Sequence, residues 1–347
     1  MIFAALIPRQ GRIPMRRPAA GVCFLVLLAS AVGVVSCGPP AYHQENEHYF
    51  FIAANINLPY WQEAQAGLTD AAAQMRVKAD FDGPASFAPQ EELAAFQKAV
   101  SQKPSGILVS ATKPDLFKPA IDAAIAEGIP VICVDADVPD SRRVLFVGTD
   151  NLRAGMESGR RMAEILHGKG QVVVISIPGQ SNLDDRLRGV QEAFKKSLAV
   201  KIVQTIDDRG DPRVAYDQIS NLLGAKAKLD GIIGLEASGA SGAADALHRL
   251  NFDGKIPIVA FDKDPETLDW IERGAITATI AQKPYVMTYY GLKFLDDLHH
   301  NAVHEFKDWR AAPVAPMPTF VDTGTAIVDK NNIKAFREAL AAHPKPL

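Results

Sequence analysis

The sequence predicts an α/β protein of two similar doubly wound lobes, each a parallel sheet flanked by helices, and three observations carry that expectation. From Tyr49 onward, short β-branched or apolar runs alternate with helical patterns, the order that builds βαβ units and parallel sheets. A second series of the same kind follows the first after Thr149-Asp150. The chain has 347 residues, 48% of them apolar and 22% charged, enough for two medium-sized globular lobes.

In the first series the expected order is strand Tyr49–Ala54, helix Pro59–Met75, strand Val77–Phe81, helix Gln90–Gln102 and strand Gly106–Ala111. A helix ending near Glu127 and strands Val131–Asp135 and Val144–Gly148 complete it. Leu93, Phe96 and Val100 fall on one stripe of their helix, the spacing of an element that covers a sheet. The second series reads as helix Asn151–His167, strand Gln171–Ile177, helix Asp184–Lys196, strand Lys201–Ile206 and helix Pro212–Leu223. Strand Gly231–Leu235, helix Ser241–Leu250 and strand Ile258–Phe261 follow. Ligands of such sheets bind outside the carboxyl ends of the strands, so the cleft between the lobes is the expected site.

The first 36 residues read as an export signal. Arg16 and Arg17 precede an uncharged apolar stretch from Ala19 to Val35, which ends in small residues and is short for a membrane-spanning helix. Met1 and Met15 are both eligible starts. Val34-Val35-Ser36-Cys37 resembles the bacterial lipoprotein cleavage box, which implies lipidation of Cys37 and a membrane anchor. Cleavage without lipidation is the alternative. Residues 37–48 are polar and Pro-rich, as a tether would be. Of the three cysteines only Cys133 remains inside the body, so no disulfide staples the fold, and Cys133 is expected as a buried apolar residue of a strand.

A formal charge of −3, with Lys and Arg scattered, argues against a nucleic-acid partner. Enzymatic signatures are sparse. The chain carries no GxxxxGK[ST] loop, no GxSxG elbow and no GxGxxG after the first strand. The Gly239–Gly242 turn reads as an ordinary strand-to-helix connection. His300 and His304 have the i, i+4 spacing of a metal pair, but no third ligand stands near them in sequence, so no metal and no cofactor is expected.

Six segments, in order, carry a family resemblance: Asn57-Leu58-Pro59-Tyr60-Trp61, Gly128–Ile132 leading to Asp135-Ala136-Asp137, and Val147–Asn151, then Arg186–Gly189, Val259–Asp262 and Ala278–Pro284. Together they make the body resemble the ribose-binding type of periplasmic sugar-binding protein, the type I periplasmic binding proteins that serve ABC sugar transporters. The resemblance implies two Rossmann-like lobes joined by three crossings near Thr149-Asp150, Gln282-Lys283 and Asp322. The lobes would then be 49–149 plus 283–321 and 150–282 plus 322–347. It also implies a sugar platform at Tyr60 and Trp61, with Asn57 in the same segment. Asp135 would accept hydroxyl hydrogen bonds, with Asp137 two residues on and on the same side of an extended strand.

Arg186 matches the family's ligand-clamping arginine, and its planar fork suits adjacent hydroxyls. Asp262 brings a charge to the carboxyl edge of the apolar strand Pro257–Phe261, and Gln282 can donate and accept at a crossing. Three positions depart from the pattern: Ala136 replaces an arginine, Glu236 an asparagine and Gly210 an aromatic. These shift the expected ligand from ribose toward another pentose or hexose, an inositol or a related polyol. Implied with the family are permease subunits as partners, a monomeric state and no catalysis. A sensory module feeding a chemoreceptor or sensor kinase is the alternative, an enzyme on this fold is a further one, and a two-lobed repressor is disfavoured because no DNA-binding headpiece precedes the body.

Overall fold

Strand pairing divides the body between two six-stranded sheets. The computed structural model describes residues 42–300 and 317–342, apart from 45 and 198, and from His43 onward they form one unit. The expected export segment, Cys37, most of the tether and His304 lie outside the described residues. Among those described, no helix is long and apolar enough to cross a membrane.

The first series is β1 (His48–Ile52), α1 (Pro59–Met75), β2 (Lys78–Asp82), α2 (Pro89–Ser101), β3 (Gly106–Val109), α3 (Pro114–Ala126), β4 (Val131–Val134) and β5 (Phe146–Gly148). The second is α4 (Asn151–Ile165), β6 (Lys169–Ser176), α5 (Ser181–Lys195), β7 (Ala199–Asp207), α6 (Pro212–Gly224), β8 (Gly231–Gly234), α7 (Gly239–Arg249), β9 (Ile258–Phe261), α8 (Pro265–Arg273) and β10 (Ala278–Ala281). Then come α9 (Pro284–His300), β11 (Phe320–Asp322), β12 (Ala326–Asp329) and α10 (Ile333–Ala342).

The first sheet has the order β2-β1-β3-β4-β5-β11 and is parallel throughout. The second, β7-β6-β8-β9-β10-β12, is parallel except for the antiparallel edge strand β12. In both, the first strand lies between the second and the third, so the order reverses there and the crevice opens at the carboxyl ends.

Local sequence chemistry accounts for many of the element ends. Proline occupies the first position of α1, α2, α3, α6, α8 and α9, where its missing N–H costs nothing. Asp150 and Asp211 cap α4 and α6 by accepting the N–H groups of Arg153 and Arg213. Strands β3, β4, β8, β9 and β10 are buried along their whole length, as near-continuous apolar runs of a doubly covered sheet should be. Cys133 lies in β4 with no exposed surface. Apolar clusters pack both faces of each sheet: one holds Phe51, Leu68 and Leu292, its counterpart Phe96, Phe117 and Ile121. In the second sheet the corresponding residues are Ile258, Leu247 and Ile271 on one face and Phe261, Val190 and Val174 on the other.

Strand β4 stops one residue before the expected Asp135, β9 ends at Phe261 as expected, and the chain turns sharply after both. Asp135, just after β4, has φ 65°, and Asp262, just after β9, has φ 71°. These are the fourth strands of the two series, so the same left-handed turn sits at matching places in both lobes. Aspartate tolerates that conformation better than most residues.

The chain passes from one sheet to the other three times, at 149–150, 282–283 and 323–325. The crossings brace one another: the Asp150 N–H donates to Asp322 Oδ1 (3.1 Å), the Thr323 N–H to Gly148 O (2.8 Å) and Thr149 Oγ1 to Gln282 Oε1 (2.8 Å).

Helices α4 and α5 meet through glycines. A Cβ at Gly155 would lie 2.0 Å from Arg186 O, and one at Gly189 2.2 Å from Leu152 O, so neither position admits a side chain without separating the helices. Gly155→Val is expected to lower stability by about 1–3 kcal/mol or more. A shift of the urea midpoint measures it, and an unchanged midpoint would contradict the docking described.

Candidate ligand site between the lobes

Strand tips and helix starts of both lobes contribute to one cleft. From the first lobe come Ala54 and Asn55 after β1, Tyr60 and Trp61 at the start of α1, Phe87 before α2 and Asp135 after β4. The second lobe supplies Asn182 and Arg186 on α5, Gly210 after β7, Glu236 after β8, Asp262 after β9 and Gln282 after β10. Of the nine ligand positions expected from sequence, seven converge here: Tyr60, Trp61, Asp135, Arg186, Glu236, Asp262 and Gln282.

Arg186 is the organising group. Its side chain is 1% exposed, and its guanidinium carbon stands 4.4 Å over the Phe261 ring. Its Nε donates to Asn151 Oδ1 (2.9 Å), one terminal nitrogen to Leu235 O (2.7 Å) and the other to Gln282 Oε1 (2.6 Å). Three of the five N–H groups of the fork are thereby engaged, which leaves two for a ligand. Gln282 in turn donates through Nε2 to Asp262 Oδ1 (2.7 Å). One amide thus holds the arginine, the aspartate and, through Thr149, the first crossing.

In the first lobe, Tyr60 donates its hydroxyl to Asp135 Oδ1 (2.6 Å), and Asn182 reaches across from the other lobe to Asp135 Oδ2 (3.1 Å). Burial, with Asp135 and Asp262 nearby, pushes the Tyr60 hydroxyl well above its ordinary pKa. Trp61 leans on Phe51 with centroids 6.0 Å apart and meets Tyr60 edge-on at 4.9 Å. Both rings therefore serve the core of the first lobe and line the cleft at once.

The carboxyl groups are strained electrostatically. Burial raises Asp135, with Arg186 opposing the rise. Burial also raises Asp262 to about 6 against the pull of Arg186, and Asp264 to about 7. Glu236 accepts the N–H groups of Ser238 (2.6 Å) and Gly239 at the start of α7, where the helix dipole favours an anion. Burial first, and then the adjacent Glu236, push the Asp208 carboxyl far above the ordinary carboxylate range.

Two expected positions lie elsewhere. Asn57 is exposed and donates to Ala85 O (2.9 Å), while its N–H bonds to Asn55 Oδ1 (3.1 Å). This Asx turn sends Asn55, not Asn57, to the cleft. Asp137 does not share a side with Asp135, because the left-handed turn at Asp135 ends the strand and its two-residue period. Asp137 instead pairs with Arg143, one oxygen 2.6 Å from a terminal guanidinium nitrogen and the other close to Nε.

Sequence reasoning also passed over Asn55, Phe87, Gln180 and Asn182. Asn182 was findable, since it precedes Arg186 by four residues on one helix and so shares its face. Phe87 had no local signal. It faces Gly210, where an added Cβ would come 3.8 Å from Phe87 Cβ, so an aromatic from the first lobe borders the space left by the missing one.

The lobes touch around the cleft. Lys263 Nζ lies 2.6 Å from Glu63 Oε2, Lys113 Nζ donates to Pro178 O (2.8 Å), and Ser181 Oγ both donates to Asp137 O (2.7 Å) and accepts from its N–H (2.8 Å). These contacts define a closed arrangement.

Two doubly wound lobes, three crossings and a polar cleft with aromatic walls define a two-lobed solute-binding protein. The chain belongs to the periplasmic binding protein domain family, which it matches over residues 49–301. It is 26% identical over 282 residues to the D-allose-binding periplasmic protein of Escherichia coli (strain K12), covering 78% of this chain and 88% of that protein. It superposes with a TM-score of 0.73 on the sugar-binding protein of a sugar ABC transporter from Bacillus halodurans, 34% identical, covering 84% of this chain and all of the other. An ABC transporter solute-binding protein from Burkholderia graminis C4D1M, solved in complex with D-arabinose, gives 0.76 at 25% identity, covering 84% and 98%. Its relatives are sugar-binding, substrate-binding proteins of the periplasm.

A carboxyl near 6 in the folded state and 3.8 in the unfolded chain binds more protons folded between those values, so stability falls as pH rises through that window. The displacement at Asp262 corresponds to roughly 3 kcal/mol. Asp262→Asn should therefore raise the urea midpoint of the ligand-free protein near about pH 7.5 and lose most of that gain near about pH 4.5. Equal effects at both values would contradict an ionised, buried Asp262.

Proposed function

We propose that this chain captures a small neutral sugar or related polyol in the interlobe cleft and delivers it to the membrane subunits of an ABC-type importer, with no chemical turnover. The observation that carries this reading is the convergence of Arg186, Asp262 and Gln282 from one lobe and Asp135 from the other beside the apolar faces of Tyr60, Trp61 and Phe87. Carboxylates accept from hydroxyls, the two spare N–H groups of Arg186 donate to them, and aromatic walls cover the C–H side of a sugar ring.

The ligand stabilises closure because only the closed form lets it touch both lobes, by the difference in its contact free energy between open and shut states. Micromolar affinity requires about −8 kcal/mol, within reach of several charge-assisted hydrogen bonds and one covered ring. We further assign export and lipidation at Cys37, a monomeric state and docking of the closed lobes on permease subunits. The sugar specificities of the relatives support the ligand class, and the periplasmic setting of the family supports the anchor in the cell envelope.

Thermal-shift screening of the protein against pentoses, hexoses, inositols and sugar alcohols, followed by calorimetry, tests the reading. A hit is expected to weaken at least about tenfold in Asp262→Ala and in Arg186→Lys, the loss of one charge-assisted hydrogen bond or more. A panel without a hit, or a hit that both variants retain, would overturn it. Lys263→Ala, which removes the contact with Glu63, should speed ligand release with little change in association, read by stopped-flow fluorescence.

A further inference from the structure

At the end of the first lobe remote from the cleft, four potential metal donors converge: His43 and Glu47 just before β1, and Asp296 and His300 in the last turns of α9. We propose that these four side chains bind a divalent transition-metal ion, zinc by the character of the donors, and so fasten the chain entering the body to helix α9.

The distances suit such an ion. His43 Nε2 lies 2.9 Å from Asp296 Oδ1, and His300 Nε2 lies 3.1 Å from Glu47 Oε2 and 3.5 Å from Asp296 Oδ1. All four donor atoms lie within 4.8 Å of one another. A tetrahedral zinc with bonds of about 2.0–2.2 Å sets its ligand atoms roughly 3.3–3.6 Å apart; the three contacts of 2.9–3.5 Å come close to that spacing, and a pair at the 4.8 Å limit would have to close by roughly 1 Å to seat the ion. Two imidazoles with two carboxylates form a mixed N/O set that suits zinc better than calcium or magnesium, which favour oxygen alone.

The supports expected around a metal ligand are present as well. Glu47 is 3% exposed, and its other oxygen accepts the Gln44 N–H (2.6 Å), which directs Oε2 toward His300. Asp296 is 6% exposed and accepts the Tyr49 hydroxyl (3.4 Å). Such outer contacts fix the orientation of a ligating group. Asp296 and His300 are four residues apart and share a helix face. The two carboxylates stand against the two imidazoles, so the cluster offers two nitrogen and two oxygen donors.

Helix α9 begins at the second crossing and Asp296 lies 12 residues further along it, about 18 Å away at 1.5 Å per residue. The metal is therefore structural and separate from ligand capture.

The full chain, purified without a polyhistidine tag and stripped with a chelator, is titrated with zinc chloride by calorimetry and by thermal shift, with magnesium and calcium chloride as controls. One equivalent of zinc and a raised Tm are expected, with no such response to the controls, and cobalt(II) should give the visible absorption of a tetrahedral site. His43→Ala and His300→Ala should each weaken zinc at least about tenfold and abolish the thermal shift. His43 lies at the partly exposed start of the body, so if His300→Ala does not fold, His43→Ala decides the matter. Failure to bind one equivalent of zinc, or zinc affinity retained in the variants, would mean that the cluster is only a set of ion pairs and would overturn the proposal.

Discussion

A guanidinium sealed inside the second lobe sets the terms for the rest of the cleft. A buried cation is tolerated only where its donors are met and its charge is balanced. Arg186 meets that demand with Asn151, Leu235 O and Gln282 as acceptors, the Phe261 face beneath it, and the carboxylates of Asp135 and Asp262 nearby. These partners come from several elements, so the arginine is fully satisfied only when α4, β8, β9 and β10 of its own lobe, and β4 of the other, are in place around α5. The glycine contact between α4 and α5 is part of the same requirement, because it sets the depth at which Arg186 enters.

Gln282 extends this network to the hinge. It lies at the second crossing, accepts from Arg186 and from Thr149 at the first crossing, and donates to Asp262. A group that touches both the site and two of the three crossings makes the state of the cleft and the angle between lobes mutually dependent. Bridges at the cleft mouth, such as Lys263 with Glu63 and Ser181 with Asp137, join the two lobes in this closed arrangement. Being short-range and partly solvated, they favour the closed form modestly, which leaves the ligand to supply the deciding difference.

The acidity of the cleft bears on selectivity. Asp135, Asp262, Asp264 and Asp208 are all held above the ordinary carboxylate range, chiefly by burial. With Glu236 committed to the start of α7, the donor–acceptor that an asparagine would offer there is missing, and Asn182 and Asn55 supply amide groups from other positions.

Alternating apolar runs and helical stripes were enough to place nearly every element of both series, because a doubly covered parallel sheet leaves its signature in local hydrophobicity. Asp262 was legible as the charge that ends an apolar strand, and Arg186 through the family resemblance of its motif within a helix. Asp137 and Asn57 lie elsewhere because backbone turns redirect them: a left-handed residue at Asp135 breaks the two-residue period that aimed Asp137 at the cleft, and an Asx turn at Asn55 turns away Asn57, which the family resemblance had put there. Phe87 and the grouping of His43 and Glu47 with Asp296 and His300 could not be read at all. The sequence by itself determined the layers and the alternation of strands and helices, as consequences of local pattern, and the class of ligand site through its family resemblance, whereas the strand order was set by the folded sheets. Only the tertiary structure decided which side chains meet, since such meetings join residues up to 253 positions apart through packing that no local window contains.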